Sequence, residues 1–323
     1  MKTSNLKAAG LTAKPGEKLG TRVSIDIKGH ATSIPIFLIN GAKEGPTLVV
    51  TAGIHGGEYP CLEAAARLGR TIDPGDLAGQ MVIVPSCNPI AFKTRSIYIT
   101  PIDGLNLNRQ FPGDPNGTYT RALADWLFTN IITIGDYYID MHGGDMIEAL
   151  VPFVSYNITG NDEVDGNAKK MAMAYGIRAV LEKKDVGGLA GTTYAAAARA
   201  GIPALLTEAG GQGVWNEDEV WILESGVRRV MTHFGMYEGI KDAGEKPQVL
   251  GGWEWLSSEH DGLFYSNVNI GDIVKKGQSL GHVSDIFGYV LQEAVSPVSG
   301  EILFLVTSLA MNEGDPLMAI AYE

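Results

Sequence analysis

The sequence holds only two cysteines, Cys61 and Cys87, too few for a disulfide framework, and such sparse use fits a reducing compartment. It has no run near the ~18–20 apolar residues that a membrane span requires, and residues 1–20 show no apolar stretch of the signal-peptide kind. A cytoplasmic location with no membrane partner is therefore expected. Positive charge is scarce: 25 lysines and arginines stand against 37 acidic side chains, a formal net charge of −12. Such a surface repels polyanions at long range, so no nucleic-acid partner is expected either. Nucleotide-binding and serine-hydrolase signatures are also missing, with no Gly-x-Gly-x-x-Gly after the first strand, no P-loop and no Gly-x-Ser-x-Gly elbow. The 41 glycines follow no fixed period, which excludes a repeat array.

What is present is an ordinary globular composition, 323 residues of which 45% are apolar, long enough for about two domains. Apolar runs at 47–51, 81–85, 137–141, 151–156, 177–181 and 204–207 alternate with helix-like stretches at 58–70, 121–132, 166–175, 191–200 and 217–233. That alternation predicts an α/β fold with a mixed, mostly parallel sheet covered by helices. Near 237–250 the composition shifts to Gly, Lys, Glu, Asp and Pro, and short alternating segments with turn signals follow. We therefore expect a first domain over 1–245 and a small C-terminal all-β domain over 246–323.

In open parallel sheets ligands bind beyond the carboxyl ends of the strands, so chemistry is sought where an apolar run meets glycine. His55 and Glu58 stand three apart in Gly53-Ile-His-Gly-Gly-Glu, and His142 follows another strand in Asp140-Met-His-Gly-Gly. A lone His-x-x-Glu is common at surfaces and helix termini. With His142 on the same sheet edge, the three make the ligand set of a catalytic zinc with one position left open. His30, His233, His260 and His282 have no such context and are read as surface or packing residues. Asn108 and Arg109, in a loop rich in Asn and Gly, could hold a substrate carboxylate, and Arg95 could face a polarised carbonyl. Glu208 ends an apolar strand, where a carboxylate is costly unless it has a task such as general base.

Five segments, Gly-x-His-Gly-Gly-Glu at 53–58, Asn-Pro-x-Ala-Phe at 88–92, Pro-x-Asp-Gly-x-Asn-Leu-Asn-Arg-x-Phe-Pro-Gly at 101–113, Asp-x-His-Gly-Gly at 140–144 and Thr-Glu-x-Gly-Gly at 207–211, occur in this order. Together they resemble the succinylglutamate desuccinylase/aspartoacylase family, relatives of the zinc carboxypeptidases, and within it the bacterial branch of N-acetyl-diaminobutyrate deacetylases. The resemblance implies a zinc-carboxypeptidase-like fold and one Zn²⁺ per chain, held by His55, Glu58 and His142. It also implies that Glu208 deprotonates the attacking water, that Arg95 polarises the scissile amide carbonyl, and that Asn108 and Arg109 bind a substrate carboxylate. The expected activity is removal of an acyl group from a small N-acyl amino acid, such as an N-acetyl-diaminobutyrate-, N-acylaspartate- or succinylglutamate-like amide.

The tail resembles the family's β module and a biotinyl- or lipoyl-type barrel sandwich, yet no lysine follows Gly277. A carrier role is therefore not expected, and a cap that narrows access to the site is. Two rival functions are a metallocarboxypeptidase acting on short peptides and a non-catalytic binding protein with a vestigial metal site. A homo-oligomer is compatible with all of these readings.

Overall fold

The computed structural model describes residues 4–184, 191–240 and 242–322. The chain opens with β1 (Leu6–Ala8), β2 (Leu11–Ala13), β3 (Lys18–Ile27), β4 (His30–Asn40) and β5 (Lys43–Ala52). It continues through α1 (Tyr59–Thr71), β6 (Ala78–Val84), α2 (Pro89–Thr94), a 3₁₀ turn at Leu107–Arg109, α3 (Tyr119–Asn130), β7 (Tyr137–His142), β8 (Glu148–Leu150) and β9 (Phe153–Ile158). Next come α4 (Asp162–Tyr175), β10 (Ala179–Lys184), α5 (Thr193–Arg199), β11 (Ala204–Glu208), α6 (Glu217–His233) and β12 (Gln248–Leu250). The remainder is all strand: β13 (Gly252–Ser257), β14 (Gly262–Ser266), β15 (Ile273–Val274), β16 (Ser279–Ser284), β17 (Val290–Val295), β18 (Gly300–Val306), β19 (Ala310–Met311) and β20 (Pro316–Tyr322).

Nine strands form one mixed sheet in the order β12-β10-β9-β11-β7-β5-β6-β4-β3. Its centre, β11-β7-β5-β6, is parallel, as the alternation of apolar runs and helices requires. These strands are apolar and buried throughout, for example Leu48, Val49 and Val50 of β5 and Met81 to Val84 of β6, because helices cover both faces. Antiparallel pairs flank that centre: β9 against β11 on one side, β6, β4 and β3 on the other. The ten-residue β3 alternates exposed and half-buried positions, as an edge strand with one solvated face should.

The C-terminal strands make two antiparallel sheets, β13-β20-β18-β15 and β17-β16-β14-β19, over their own apolar core of Phe264, Leu280, Val283, Leu317 and Ile320. The expected α/β body with a small all-β sandwich is the architecture found. The two parts exchange strands, however. β8 leaves the first part to pair with β18 of the C-terminal sheet, while β12, which follows residue 245, adds to the large sheet beside β10. Among the described residues no helix is long and apolar enough to cross a membrane.

Candidate metal centre and active-site cavity

Parallel pairing puts the carboxyl ends of β5, β7 and β11 side by side: Thr51 lies opposite Asp140, and Glu208 opposite His142. The loop after β5 carries His55, and Glu58 sits at the N-cap of α1, where the helix dipole favours a carboxylate. Two glycines make this loop possible. A Cβ on Gly56 would stand among the backbone atoms of Ala91 and Phe92, and one on Gly57 would collide with the Asp145 carboxylate.

His55, Glu58 and His142, read from the sequence as one ligand set, do converge, each offering an atom within 4.8 Å of the others. His55 Nδ1 lies 2.6 Å from Glu58 Oε1, and His142 Nδ1 lies 2.9 Å from Glu58 Oε2. Neither Glu58 Oε2 nor His142 Nδ1 has a hydrogen-bond partner, although both are buried. Two orphaned polar atoms facing one another, in a set of two imidazoles and a carboxylate, fit a divalent cation such as zinc. The electrostatics agree. Burial would raise the Glu58 carboxyl, but His142 and His55 hold it down to about 2. Burial would lower His142, but Glu58 and Asp140 raise it well above the usual imidazole range, and Glu58 overrides burial at His55 in the same direction.

The outer ring nitrogens are also held. His142 Nε2 is 2.9 Å from Asp140 Oδ2, and Asp140 in turn accepts from Thr51 and Thr193 hydroxyls. His55 Nε2 lies 3.0 Å from Asn106 Oδ1, an oxygen that also accepts from the Asn108 N–H. Ligand histidines are commonly oriented in this way. Sequence reasoning assigned neither Asp140 nor Asn106 a role, although the Asp-x-His spacing of a strand puts both side chains on one face.

A cavity of about 720 Å³ is lined by His55 and Glu58 of this triad, with His142 buried beside them. Glu208 faces it, with Oε2 unpartnered, and burial together with Glu58, Glu148 and Asp140 drives its carboxyl well up against the pull of His142. Arg109 lines it too. Its outer surface meets solvent, but enough protein surrounds the guanidinium for burial to lower its pKa, with Tyr194 and Glu208 opposing. Asn108 is buried at the same wall, but its amide is committed. Its Oδ1 accepts from the Thr193 N–H at 2.9 Å and its Nδ2 lies 3.4 Å from His142 Nε2, so it fixes α5 and faces the imidazole.

Arg95 departs from expectation. It caps α2 in the left-handed conformation, φ 54°, its N–H returning to Ala91 and Phe92 carbonyls, which leaves it exposed and outside the cavity wall. The chain turns back three residues later at Tyr98, itself at φ 59°, and it is Tyr98 that lines the cavity. Of the remaining histidines, His30, His233 and His260 are exposed and His282 stacks on Tyr265 at 5.1 Å.

The rest of the wall had no signal in the motifs. Trp253, Trp255, Phe304 and Pro316 of the C-terminal strands close one side, continuous with Leu150, Phe153 and Ile99 of the first part. Rings of the C-terminal strands thus line the cavity, in the part of the chain expected to narrow access to it.

Residues 44–234 match the succinylglutamate desuccinylase/aspartoacylase catalytic domain. Over 303 residues the chain is 30% identical to the N-alpha-acetyl-L-2,4-diaminobutyric acid deacetylase of Halomonas elongata, covering 90% of this chain and 86% of that protein. Among solved structures it is similar to the product-bound ectoine utilization protein EutE (DoeB) of Ruegeria pomeroyi, with 25% identity, 95% of each chain covered and a TM-score of 0.84. It is also similar to a succinylglutamate desuccinylase/aspartoacylase of Rhodobacter sphaeroides, with 25% identity, 95% of each chain covered and a TM-score of 0.83. With the family's catalytic-domain match spanning most of the chain and the ligand triangle assembled at its sheet edge, the chain belongs to the succinylglutamate desuccinylase/aspartoacylase family.

Proposed function

We propose that the protein is a zinc-dependent deacylase, one Zn²⁺ per chain, that hydrolyses the amide of a small N-acyl amino acid in the cytoplasm. The observation that carries this reading is the His55–Glu58–His142 triangle, two of whose members line the same cavity as Glu208. The names of the relatives, an N-acetyl-diaminobutyrate deacetylase and a desuccinylase/aspartoacylase, support the same chemistry. We also read residues 1–245 as the hydrolase domain and 246–323 as its cap.

His55, Glu58 and His142 would hold the ion, with Asp140 and Asn106 keeping the two imidazoles in orientation. Zinc, when bound, supplies a Lewis acid that polarises a carbonyl and acidifies water from a pKa of 15.7 towards about 7. Glu208 takes the proton from the attacking water at its unpartnered Oε2 and returns it to the departing amine nitrogen, one carboxylate serving as base and then acid. The Arg109 guanidinium receives the substrate carboxylate, a planar pairing that fixes the amide over the base. With Arg95 outside the cavity, Arg109 is the one arginine among the described residues that lines it. Trp253, Trp255, Phe304 and Pro316 line the cavity, and their bulk supports a small acyl amino acid over a longer peptide.

The test is amine release from N-acetyl amino acids, N-succinyl amino acids and dipeptides, with metal measured on the same preparation. Glu208→Gln should keep its zinc and lose about 10³-fold or more in kcat, the scale of a lost acid-base group and then some. A fully active Glu208→Gln, or exclusive cleavage of dipeptides, refutes the deacylase reading.

A further inference from the structure

The hydrolytic scheme assigns no side chain to the carbonyl oxygen, which gains negative charge as water adds to the amide. Preorganised donors at that oxygen are usually the largest catalytic contribution in acyl transfer. Arg95, expected there from the sequence, is exposed and outside the cavity wall, and Arg109 is assigned to the substrate carboxylate. Other donors on the wall are engaged elsewhere. Asn108 accepts from Thr193 and faces His142, and Asn106 turns its Oδ1 to His55 Nε2 while His55 Nδ1 faces Glu58. Tyr194 Oη lies 3.4 Å from Ser155 Oγ, and its electrostatic neighbours include Arg109 and Glu208.

Tyr98 stands apart from these. Its ring is edge-on to the His55 imidazole, with centroids 6.4 Å apart. Its Oη donates to Glu148 Oε1 at 2.8 Å, and the charge of Glu148 is felt by Glu208 while Glu148 in turn feels Glu58. The phenol thus lies on the wall that the ligand triangle and the base share. A left-handed backbone, φ 59°, is unfavourable for a ring-bearing residue and persists only where the surroundings hold it. Here a closed set of bonds does so: Tyr98 N–H donates to Asp145 Oδ2 at 2.8 Å, and Asp145 N–H to Glu148 Oε2 at 2.6 Å. Glu148 begins β8, which pairs with β18, so this bracket is anchored in the C-terminal sheet. Burial and the facing carboxylate keep the phenol protonated, far above its usual range. Burial also pushes Glu148 up to about 7, so near neutral pH a share of it carries a proton that it can donate to Tyr98 Oη, turning the phenol O–H towards the cavity.

We propose that Tyr98 is a catalytic residue whose Oη donates a hydrogen bond to the amide carbonyl oxygen as water adds, and that Glu148 is its positioning residue. The O–H bond stays intact, so this contact transfers no proton. The inference rests on the deacylase reading and gives the task expected of Arg95 to a neutral donor three residues further on.

The test uses the zinc-loaded full-length enzyme and three probes: the N-acetyl amino acid turned over fastest in the amine-release screen, its methylphosphonamidate analogue, and the free amino acid it yields. The tetrahedral phosphonamidate oxygens stand in for the charged oxygen of the reaction. Tyr98→Phe should lower kcat about 10²-fold with KM nearly constant, the scale of one lost oxyanion donor. Calorimetric titration should show phosphonamidate affinity falling by the same factor, with that of the free amino acid unchanged. Glu148→Ala should reproduce part of both losses and Glu148→Gln should recover them, because its carbonyl must face the Asp145 N–H and its amide then donates to Tyr98 Oη. On top of Glu148→Ala, Tyr98→Phe should cost less than it does alone. Metal content and thermal unfolding are measured alongside, and if Tyr98→Phe does not fold, the Glu148→Ala and Glu148→Gln pair carries the comparison. A rise in KM with kcat intact, an equal weakening of phosphonamidate and free amino acid, or no difference between the two Glu148 variants overturns the proposal. So does a Tyr194→Phe that shows the kcat and phosphonamidate losses while Tyr98→Phe shows neither. These outcomes leave the deacylase reading standing, whereas failure to release amine from any N-acyl amino acid overturns both.

Discussion

Asp140 is not among the residues that line the cavity, yet it bears on what His142 can do. Its Oδ2 lies 2.9 Å from His142 Nε2, an arrangement that, with a metal bound, favours the tautomer with its proton at Nε2 and its lone pair at Nδ1, the nitrogen beside Glu58. Replacing it by asparagine keeps the shape but allows the side chain to donate to Nε2, which favours the tautomer with its proton at the ligating nitrogen. Asp140→Asn should therefore lower zinc affinity about 10–100-fold with little change in fold, as measured by competition with a chelator. Unchanged affinity would mean that the ring is oriented by its packing alone. Arg109 makes a contrasting case. Its Nη1 is tied to the Asn108 carbonyl at 2.8 Å, and the residue lines the cavity. Arg109→Ala is expected to raise KM about tenfold or more for acyl amino acids and far less for acyl amines without a carboxylate, while metal content stays constant. An equal rise for both would assign Arg109 a merely structural part.

At the scale of elements, legibility followed how local the determinants were. The helix read at 217–233 is the one observed, Glu217–His233, because its start is written in place: the Asn216 side chain accepts from Asp218 N–H and acidic residues fill the first turn. The strands bearing His142 and Glu208 were legible because an apolar run stops at paired glycines whose reason for being small is a close approach. The alternation read as helices and strands missed the first four strands: β1 and β2 pair only with each other, and β3 and β4 pair antiparallel at one end of the large sheet, β3 with one solvated face. It also missed β8, whose three residues pair with a strand some 150 positions away, a contact no local pattern encodes. Arg95 lies away from the cavity for a related cause, since the left-handed conformation of this one cap residue is not written in the local pattern. Glycines give a sharp test of such local causes. Asp145, which a Cβ on Gly57 would strike, cannot retreat, because Tyr98 N–H and Met146 N–H hold its carboxylate at 2.8 and 2.7 Å. Gly57→Ala should cost about 1–3 kcal/mol and weaken zinc binding, since the loop carrying His55 must shift. Gly166, inside α4 with nothing within 4 Å of its would-be Cβ, is the counterpart: Gly166→Ala should stabilise by about 0.5–1 kcal/mol in denaturant titration. The reverse order of the two would show that loop geometry does not set the stability here.

At the scale of the whole molecule, the composition suggested two domains, and multidomain chains ordinarily unfold in more than one step. The way the parts are joined argues for a single step. Strand exchange runs in both directions, β8 into the C-terminal sheet and β12 into the large one, so each part completes its sheet with residues of the other. Backbone bonds extend the seam, Val151 N–H to Leu303 O at 3.0 Å and Thr307 N–H to Ile147 O at 2.8 Å. Side chains close it: Lys183 lies 3.8 Å over the Trp253 ring, Phe153 meets Trp253 edge-on at 5.4 Å, and one Arg178 nitrogen reaches both Glu301 oxygens at 2.7 and 2.6 Å. Unfolding the cap alone would strand an open edge on β10, strip the rings from one side of the cavity and leave β8 unpaired. The expected calorimetric trace is therefore one endotherm whose van't Hoff and calorimetric enthalpies agree. The half-exposed Arg178–Glu301 pair holds the parts together at the cost scale of a partly screened ion pair, about 1 kcal/mol. Glu301→Gln should lower the midpoint by about 1–2 °C and leave the transition single. If that substitution instead splits the trace into two endotherms, the seam is a docked interface, and the cavity wall belongs to a domain that can leave the metal centre.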